Sequence, residues 1–309
     1  MAKSVVLGGN GFIGSHLVDA LVNAGHDVTV FDRFSTDSRR YRSRNVREVT
    51  GVFGKDDSVL DALDGADTVF HFVSASTPAS AAEAPARDVA DNVVPTVQLL
   101  EHAVSAGVKR ILFASTGGAI YGEQAHAVHA ETDPILPLSP YAIAKAAIEG
   151  YLRFFRAEHG LNSTVLRISN PYGPRQSGAR GQGLIPIAIR RVLDGEPVVR
   201  YGDGTMVRDY VYIDDLIAMI MRIVATASPK YDVYNLGSGR GESVNDVLHA
   251  VERELGSFAI DQRPTPSSFV NRVVLDTARF TTEFGTLPLT QLEDGIAASV
   301  QSAREERHR

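Results

Sequence analysis

The first thirty-two residues constrain the fold of this chain more than any other stretch. Val5–Leu7 is an apolar run of strand length, and a glycine-rich turn follows it. Apolar residues then recur at helical spacing from Phe12 to Val22, and Asp27–Phe31 is a second apolar strand that ends at Asp32. The sequence therefore predicts a strand, a glycine turn, a helix and a second strand closed by an acid. This is the opening unit of a dinucleotide-binding sheet.

Each glycine of this turn has a predicted role beside a bound pyrophosphate. Gly8 and Gly11 lack a Cβ, so the backbone can turn sharply and bring its N–H groups close to the phosphates. Gly14 lets the helix pack closely on the first strand, and the N-terminus of that helix attracts negative charge. Asp32, eighteen residues after Gly14, is placed to accept hydrogen bonds from the adenosine ribose.

Composition excludes several classes of protein. The 309 residues carry a net charge of −6 with 22% charged side chains, which indicates no nucleic-acid partner. The longest apolar stretch, Leu216–Ala225, is too short to span a membrane. The chain contains no cysteine, which fits a reducing compartment, and the first strand begins too early to leave room for a signal peptide. We therefore expect a soluble cytoplasmic protein.

Apolar strands continue to alternate with helical patterns as far as Asn170. This order predicts an α/β fold with a Rossmann-type doubly wound parallel sheet. The further predicted elements are strands at Val46–Phe53, Thr68–Val73, Arg110–Ala114 and Ser163–Ser169, and helices at Asp88–Ala106, Pro140–His159 and Leu184–Leu193. After Asn170, glycines and prolines interrupt the chain, which predicts a smaller C-terminal lobe. We expect residues 1–170 to bind the nucleotide cofactor and residues 171–309 to form mainly a substrate-binding lobe, with some segments returning to the first domain.

A tyrosine and a lysine stand one turn apart near the start of a predicted helix. Tyr141 and Lys145 therefore share a face of that helix. An ammonium group so close stabilises a phenolate, and we expect it to lower the pKa of Tyr141. The pair follows a predicted strand that leads into Ser115 and Thr116. The spacing alone is common by chance, and its usual interpretation is a solvated pair on a helix.

With these motifs in order, the chain resembles the extended short-chain dehydrogenases/reductases. Within them it is most similar to the nucleotide-sugar epimerases of the UDP-galactose (UDP-glucose) 4-epimerase type. The motifs that carry the resemblance are the glycine turn, Asp32, Ser115-Thr116, Tyr141-x-x-x-Lys145, Arg167-x-x-Asn170-Pro-Tyr-Gly-Pro and Arg208-Asp209-Tyr210. The resemblance implies NAD as cofactor, a UDP-sugar as substrate and a homodimer formed by the helices at 88–106 and 140–159. The apolar residues expected on that dimer surface include Val93, Leu99, Ile143, Ile148, Leu152 and Phe155.

The resemblance also implies roles for individual residues. Tyr141 is the general base and acid at the sugar hydroxyl, and Lys145 lowers its pKa and holds the nicotinamide ribose. The third catalytic residue is the loop hydroxyl of Thr116, with Ser115 as the neighbour that could replace it. The implied cofactor-binding residues are Gly8, Gly11, Phe12, Ile13, Gly14, Asp32, Arg33, Ser35, Thr36, Phe72, Val73, Ser74, Asn92, Ser115, Tyr141 and Lys145. The implied substrate-binding residues are Thr116, Tyr141, Asn170, Leu184, Tyr201, Arg208 and Arg263.

Two positions near the expected cofactor depart from the pattern of the family. Val52 stands where the family has an aspartate near adenine. Ser76 stands where the type enzyme has a lysine at the pyrophosphate. Both differences are expected to weaken retention of the cofactor.

The loop after Thr116 distinguishes the reactions of the resembling enzymes. Related dehydratases follow the threonine with Asp-Glu and related decarboxylases keep a glutamate there, whereas this chain has Gly117-Gly118-Ala119. Without a second acid–base pair, the expected reaction is epimerisation at C4 of a UDP-hexose through a transient 4-keto sugar. The sequence does not distinguish among the unsubstituted hexose (glucose or galactose), its N-acetyl form and its uronic acid form as the substrate sugar. An NAD(P)H-dependent nucleotide-sugar ketoreductase and a non-catalytic NAD(P)-binding sensor stay open as alternatives.

No metal site is expected from the nine histidines. His126 and His129 share a loop, which is the most suggestive pair in the sequence. No carboxylate or third ligand accompanies them at a recognised metal-ligand spacing, so the sequence predicts no bound metal.

Overall fold

The fold is built around a parallel sheet, and the computed structural model describes residues 1–34, 39–124, 126, 128–178, 181–266 and 270–307. The strands are β1 (Lys3–Leu7), β2 (Asp27–Asp32), β3 (Arg47–Thr50), β4 (Thr68–His71), β5 (Arg110–Thr116), β6 (Val128–His129), β7 (Asn162–Ile168), β8 (Asn170–Tyr172), β9 (Val198–Tyr201), β10 (Val207–Arg208), β11 (Tyr210–Tyr212), β12 (Val233–Leu236), β13 (Glu242–Ser243), β14 (Ile260–Arg263) and β15 (Arg272–Leu275). The helices are α1 (Phe12–Asn23), α2 (Ser58–Leu63), α3 (Pro78–Glu83), α4 (Pro85–Asp88), α5 (Val94–Ser105), α6 (Gly117–Ile120), α7 (Pro140–His159), α8 (Leu184–Leu193), α9 (Ile213–Ala225), α10 (Val244–Leu255), α11 (Ala278–Phe284) and α12 (Leu292–Arg307).

Seven strands form the main sheet in the order β12-β7-β5-β4-β1-β2-β3. Strand β1 pairs in parallel with both β2 and β4, and the same direction continues to β3 on one side and to β5 on the other. The strand order reverses between β1 and β4. In open sheets of this kind, ligands bind outside the carboxyl ends of the strands at the reversal. The glycine turn after β1 therefore lies where a ligand is expected.

Local sequence explains the ends of the longest helix. The hydroxyl of Ser139 accepts a hydrogen bond from the backbone N of Ala142, Pro140 occupies the first helical position, and Gly160 ends α7 with a φ of 67°. The predicted range, Pro140–His159, is confirmed. The predicted range of α8 is confirmed as well.

Two predicted elements differ from the observed ones by more than a shift of one or two residues at an end. The third strand is shorter than the predicted Val46–Phe53, and the side chain of Phe53 packs into the core from a turn. The helix predicted from Asp88 is interrupted by a π-helical stretch, Val89–Val93, before α5 begins. Pro95 lies two residues after this stretch, in the first turn of α5, and has no N–H to donate, so a regular α-helical ladder cannot pass through it.

The chain forms two compact units. The first comprises Met1–Ile120, Pro137–Arg167 and Met221–Tyr234, and the second comprises Tyr121–Leu136, Ile168–Ile220 and Asn235–Arg309. Relative to the predicted division at residue 170, two internal segments therefore belong to the opposite unit. The core of the first unit joins the main sheet to α2, α5 and α7, and the core of the second joins α8, α10 and α12. Within the described ranges, no helix has the length and apolarity needed to cross a bilayer.

Candidate active site

The glycine turn after β1 leaves space and backbone donors for an anion. Gly8 has a φ of 81°, and a Cβ there would lie 2.8 Å from the backbone N of Val73. A Cβ on Gly14 would lie 2.2 Å from the carbonyl oxygen of Gly8. Helix α1 begins at Phe12 with Gly11 as its N-cap and no side-chain cap, so the N–H groups of its first turn are left for a ligand. A pyrophosphate fits this helix N-terminus.

Asp32 is fixed at the end of β2 by two backbone donors. The backbone N of Asn10 donates to Asp32 Oδ2 at 2.9 Å, and the backbone N of Arg33 donates to Oδ1 at 2.7 Å. A carboxylate has about four acceptor positions, so about two remain for ribose hydroxyls. The turn and this acid together fit the adenosine and pyrophosphate of NAD. Arg33 is exposed, and Ser35 and Thr36 lie outside the described residues.

We expect the protein to prefer NAD over NADP by about 100-fold or more, because the carboxylate of Asp32 would face the 2′-phosphate of NADP. Arg39 is not free to compensate, since its Nε lies 2.5 Å from Glu48 Oε1. Calorimetric titration of cofactor-free protein with both nucleotides measures the preference. Asp32→Asn should reduce it by about tenfold or more. Equal affinity of the wild-type protein for the two nucleotides would contradict the prediction.

Tyr141 and Lys145 on α7 line a pocket of the first unit. Three of the predicted cofactor-binding residues, Val73, Ser74 and Asn92, line the same pocket. The structure therefore brings together residues that the sequence separates by about seventy positions. The remaining polar residues of the pocket wall are His71, Ser76, Asp88 and Thr96.

Lys145 is buried and held in place by the end of β5. Its Nζ donates to the carbonyl oxygen of Ala114 at 2.9 Å and lies 4.7 Å from the ring centre of Phe113. Burial lowers the pKa of Lys145 to about 8, and the nearby carboxylates of Asp88 and Glu149 oppose this shift. The side chain is therefore still mainly a cation at neutral pH.

The sequence predicts a lowered pKa for Tyr141, and this prediction is wrong for the protein without bound cofactor. Burial raises the pKa of Tyr141 to about 12, and the negative charge of Asp88 adds to this shift. Lys145 Nζ lies 5.8 Å from the tyrosine ring centre and already donates to a carbonyl oxygen, so its charge does not outweigh the loss of solvation. At neutral pH the phenol is protonated and can donate a proton.

The hydroxyl of Ser115 is not placed to serve as the catalytic hydroxyl instead of that of Thr116. The hydroxyl of Ser115 donates to Glu149 Oε1 at 2.5 Å, and Glu149 pairs with Arg167 through a 2.8 Å contact between Oε2 and Nη2. All three side chains are buried. Neighbouring residues of a strand point to opposite faces, so Thr116 faces away from this ion pair. The side chain of Ser115 is therefore committed to the buried pair, which also argues against its predicted cofactor role.

Asp88 is an important pocket residue that was not among those predicted. Its Oδ1 accepts a hydrogen bond from Asn92 Nδ2 at 2.9 Å and another from the hydroxyl of Ser76. Asn92 Oδ1 in turn accepts from the backbone N of Ala75 at 2.8 Å. Asn92 thus ties the loop after β4 to the helical segment. The four-residue spacing from Asp88 to Asn92 is the local signal that could have indicated this pair.

Two of the predicted substrate-binding residues, Asn170 and Arg208, lie close to each other along the second unit's strands. Asn170 Nδ2 donates to the backbone carbonyl of Asp209 at 2.9 Å. The guanidinium of Arg208 donates to the carbonyl oxygens of Val207 and Val270 at 2.8 and 2.7 Å. The buried carboxylate of Asp209 accepts from the backbone N of residues 238, 239 and 275. This network fixes the backbone between the two predicted residues.

Three further predicted substrate-binding residues, Leu184, Tyr201 and Arg263, also belong to the second unit. Strand β14 pairs with β9 so that Arg263 stands opposite Tyr201. Arg263 is exposed and forms an ion pair with Asp261 at 2.7 Å. Leu184 is half-buried at the start of α8, against the second unit's core. The structure thus brings Tyr201 and Arg263 together.

The structure also brings a carboxylate to the pair of histidines for which none was predicted. His126 Nε2 lies 2.7 Å from Asp133 Oδ2, and His129 Nδ1 lies 3.8 Å from the same oxygen. The expectation that no carboxylate accompanies these histidines is therefore wrong. The turn closed by the hydrogen bond from Asp133 N to the carbonyl oxygen of Ala130 brings the three side chains together.

The parallel sheet, the glycine turn with its acid and the Tyr141–Lys145 pair define a Rossmann-type enzyme of the extended short-chain dehydrogenase/reductase class. The sequence profile of the NAD dependent epimerase/dehydratase family matches residues 4–237, and the chain belongs to that family. The UDP-glucose 4-epimerase of Mycolicibacterium smegmatis is 32% identical, with 98% of each chain covered.

Two solved structures are similar over nearly the whole chain. One is the crystal structure of UDP-glucose 4-epimerase with UDP-glucose from Thermotoga maritima, with a TM-score of 0.91, 36% identity and 99% of each chain covered. The other is UDP-glucose 4-epimerase of Thermus thermophilus in complex with NAD, with a TM-score of 0.89, 34% identity, and 98% of this chain and 99% of that chain covered. The predicted fold class, the NAD cofactor and the resemblance to nucleotide-sugar epimerases are confirmed.

Proposed function

We propose that this chain is an NAD-dependent nucleotide-sugar epimerase that inverts C4 of a UDP-hexose, in its glucose/galactose, N-acetyl or uronic acid form. One observation carries the choice of reaction. Strand β5 ends at Thr116 and continues directly into α6, whose residues Gly117–Ile120 contain no acid, and α6 packs against the helix that bears Tyr141. The family includes epimerases and dehydratases. A dehydratase needs further acid–base groups beside the sugar, and this loop offers none.

The geometry supports a division of roles among three side chains. Tyr141 takes the proton of the sugar 4-hydroxyl. It returns the proton after the 4-keto sugar has rotated in the site to present its opposite face. Lys145 is held by the carbonyl of Ala114, so its charge stays near the phenol throughout. Thr116 orients the reacting hydroxyl. Bound oxidised NAD would supply the acceptor for the C4 hydride and a positive charge that favours the phenolate form of Tyr141, which is the form able to take the proton.

The remaining predicted site residues belong to this proposal. Residues of the first unit, from Gly8 to Lys145, would hold NAD. The residues proposed to contact the sugar nucleotide from the second unit are Asn170, Leu184, Tyr201, Arg208 and Arg263. A cytoplasmic site of action is proposed as well and agrees with the absence of cysteine from the sequence.

Product analysis tests the reaction. The protein is incubated separately with UDP-glucose, UDP-N-acetylglucosamine and UDP-glucuronate, and the products are separated while the nicotinamide absorbance is followed. We expect C4 inversion of at least one sugar with no net change of that absorbance, because NAD is regenerated in each turnover. Consumption of NADH in step with product would identify the ketoreductase. Cofactor binding without any product would identify the sensor, and either result would refute the epimerase.

Thr116→Ala should lower the turnover rate by about 10-fold, less than loss of the tyrosine hydroxyl, because a hydroxyl that orients contributes less than one that transfers the proton. Ser115→Ala is the matched control. Its hydroxyl is bound to Glu149, so that variant should lose stability and keep its turnover rate. Steady-state rates and thermal unfolding of both variants separate the two roles. A rate loss in the Ser115 variant alone would reverse the assignment.

A homodimer through α5 and α7 forms part of the proposal, although its surface differs from the predicted one. Of the six apolar residues expected there, five are buried in the chain's own core and only Ile143 is exposed. The apolar residues that these two helices do expose are Val94, Ile143, Tyr151 and Phe154. The three on α7 follow a helical repeat and lie on one face. An exposed apolar face of this kind is typical of an interface.

Phe154→Glu is expected to convert the dimer into a monomer, because it would place a charge within the apolar face of both protomers. Light scattering at micromolar concentration measures the mass of each species. Leu60→Glu changes an exposed leucine of α2 outside this face and should leave the dimer intact. A monomeric wild-type protein would contradict the proposed assembly.

A further inference from the structure

Three side chains of the second unit meet beside the short strand β6. His126 precedes the strand, His129 ends it, and Asp133 follows one turn later. His126 Nε2 lies 2.7 Å from Asp133 Oδ2, and His129 Nδ1 lies 3.8 Å from that oxygen. Counting one ligand atom from each residue, all three atoms lie within 4.8 Å of one another. Two imidazoles and one carboxylate thus converge on one point.

The buried histidine is the informative member of this cluster. His129 is completely buried, yet neither of its ring nitrogens has a hydrogen-bond partner among the residues that the structure describes. Buried polar atoms nearly always have a partner, so this ring requires an explanation. The Asp133 oxygen lies 3.8 Å from His129 Nδ1, which is beyond hydrogen-bond distance. An ordinary ion pair between His126 and Asp133 would leave His129 unexplained.

The surroundings hold His129 in one orientation. The ring of Tyr121 stacks on it with 5.1 Å between ring centres and an angle of 9° between the planes. Its backbone carbonyl accepts from Asn235 Nδ2 at 2.8 Å and from the backbone N of Asp276 at 2.8 Å. The ring and the backbone of His129 are therefore both held in place.

We propose that His126, His129 and Asp133 form a binding site for one divalent transition-metal cation of the zinc class. Zinc binds nitrogen and carboxylate oxygen at about 2.0–2.2 Å, which places the ligand atoms of a tetrahedral site about 3.3 Å apart. The observed separations of 2.7 and 3.8 Å lie on either side of that value. Two nitrogen ligands disfavour calcium and magnesium, which prefer oxygen. Water would complete the coordination.

The site has a structural consequence for the segment that carries it. Asp133 Oδ2 also accepts from the backbone N of Ala130 at 3.0 Å, so the carboxylate is held by the turn as well as by His126. A cation bound there would link the chain before β6 to the turn after it. His126, which is exposed, would then be anchored to the buried His129. The expected role is to tie His126 to the turn that carries Asp133.

Metal titration of the tag-free 309-residue chain tests the proposal. After dialysis against EDTA, zinc chloride is titrated by calorimetry and cobalt chloride by visible absorption. We expect one equivalent of each metal per chain and cobalt bands of an ordered nitrogen–oxygen site. His126→Ala and Asp133→Asn should each weaken binding by about 10–100-fold or more, because even residues that only support metal ligands contribute that much. His249→Ala, an exposed histidine of the same unit, should bind as the wild type does.

Binding no tighter than that of a surface histidine, or wild-type affinity in either cluster variant, would overturn the proposal. His126 is exposed, so His126→Ala keeps its fold and stays decisive even if the other variant unfolds. Circular dichroism of each variant verifies folding. A second readout is thermal unfolding, in which zinc should raise the midpoint of the wild type and of the His249 variant but not that of His126→Ala.

Discussion

Tyr141→Phe is expected to lower the epimerisation rate by about 10³–10⁴-fold, near the upper end of what general acid–base catalysis contributes. The substitution removes only the phenolic oxygen and keeps the ring that lines the pocket. Packing and cofactor binding should therefore survive. The 4-hydroxyl of the sugar would lose its proton acceptor, and the 4-keto intermediate would lose its proton donor.

A second tyrosine of the same helix provides the control. Tyr151 is exposed and does not line the pocket of Tyr141, so Tyr151→Phe should keep the wild-type rate. Rates measured on UDP-sugars at saturating NAD, together with calorimetric NAD affinities, separate loss of chemistry from loss of cofactor. Turnover of the Tyr141 variant within about tenfold of the wild type would show that another group transfers the proton.

Arg167→Met should destabilise the protein by about 3–5 kcal/mol, because it leaves the buried carboxylate of Glu149 without its counter-charge. The pair is bidentate, with Arg167 Nε at 3.2 Å from Oε1 and Nη2 at 2.8 Å from Oε2. Both side chains are nearly inaccessible, with exposed fractions of 4% and 3%. Solvent therefore cannot replace the missing cation. Urea unfolding of the wild-type protein and of the variant measures the loss.

The double variant Glu149→Gln/Arg167→Met tests whether the lost stability comes from the unpaired charge of Glu149 rather than from loss of the arginine side chain. It removes both charges and keeps an oxygen that can accept the hydrogen bond of Ser115, so it should recover most of the lost stability. Its activity would report a separate effect, because Glu149 also raises the pKa of Lys145. A destabilisation below about 1 kcal/mol in the single variant would mean that the pair behaves like a surface ion pair.

The opening unit of the sheet was predictable because its signals are local. The run at Val5–Leu7, the glycine turn and the apolar repeat after Phe12 each define an element within a few residues, and Asp32 follows at a characteristic distance. The ends of α7 were predictable for the same reason, since a serine cap and a terminal glycine act on adjacent backbone groups. The Tyr141–Lys145 pair needed only helical spacing.

The interruption before α5 and the buried partners of the site needed more than local pattern. A run of helical residues does not reveal the π-helical stretch at Val89–Val93, although Pro95 gives its cause. Ser115 and Thr116 are equivalent as hydroxyl residues in the sequence. Only the structure shows that their side chains point to opposite faces of the sheet. Glu149 stands one turn after Lys145, and this spacing indicates that the two share a face of the helix. No local pattern, however, indicates that Arg167 is the ion-pair partner of Glu149.

The sequence by itself determined the class of fold, the cofactor-binding turn and the shared helical placement of Tyr141 and Lys145, because these depend on residue type and short spacing. Only the tertiary structure decided how those groups are charged and what surrounds them. The pKa of Tyr141 rises because distant segments exclude water from it, and Asp88 reaches it from another helical segment. Asp133 likewise meets His126 and His129 only when a turn folds back. The solvation of a side chain and its contacts with other side chains depend on residues far apart in the sequence, and no local sequence pattern encodes them.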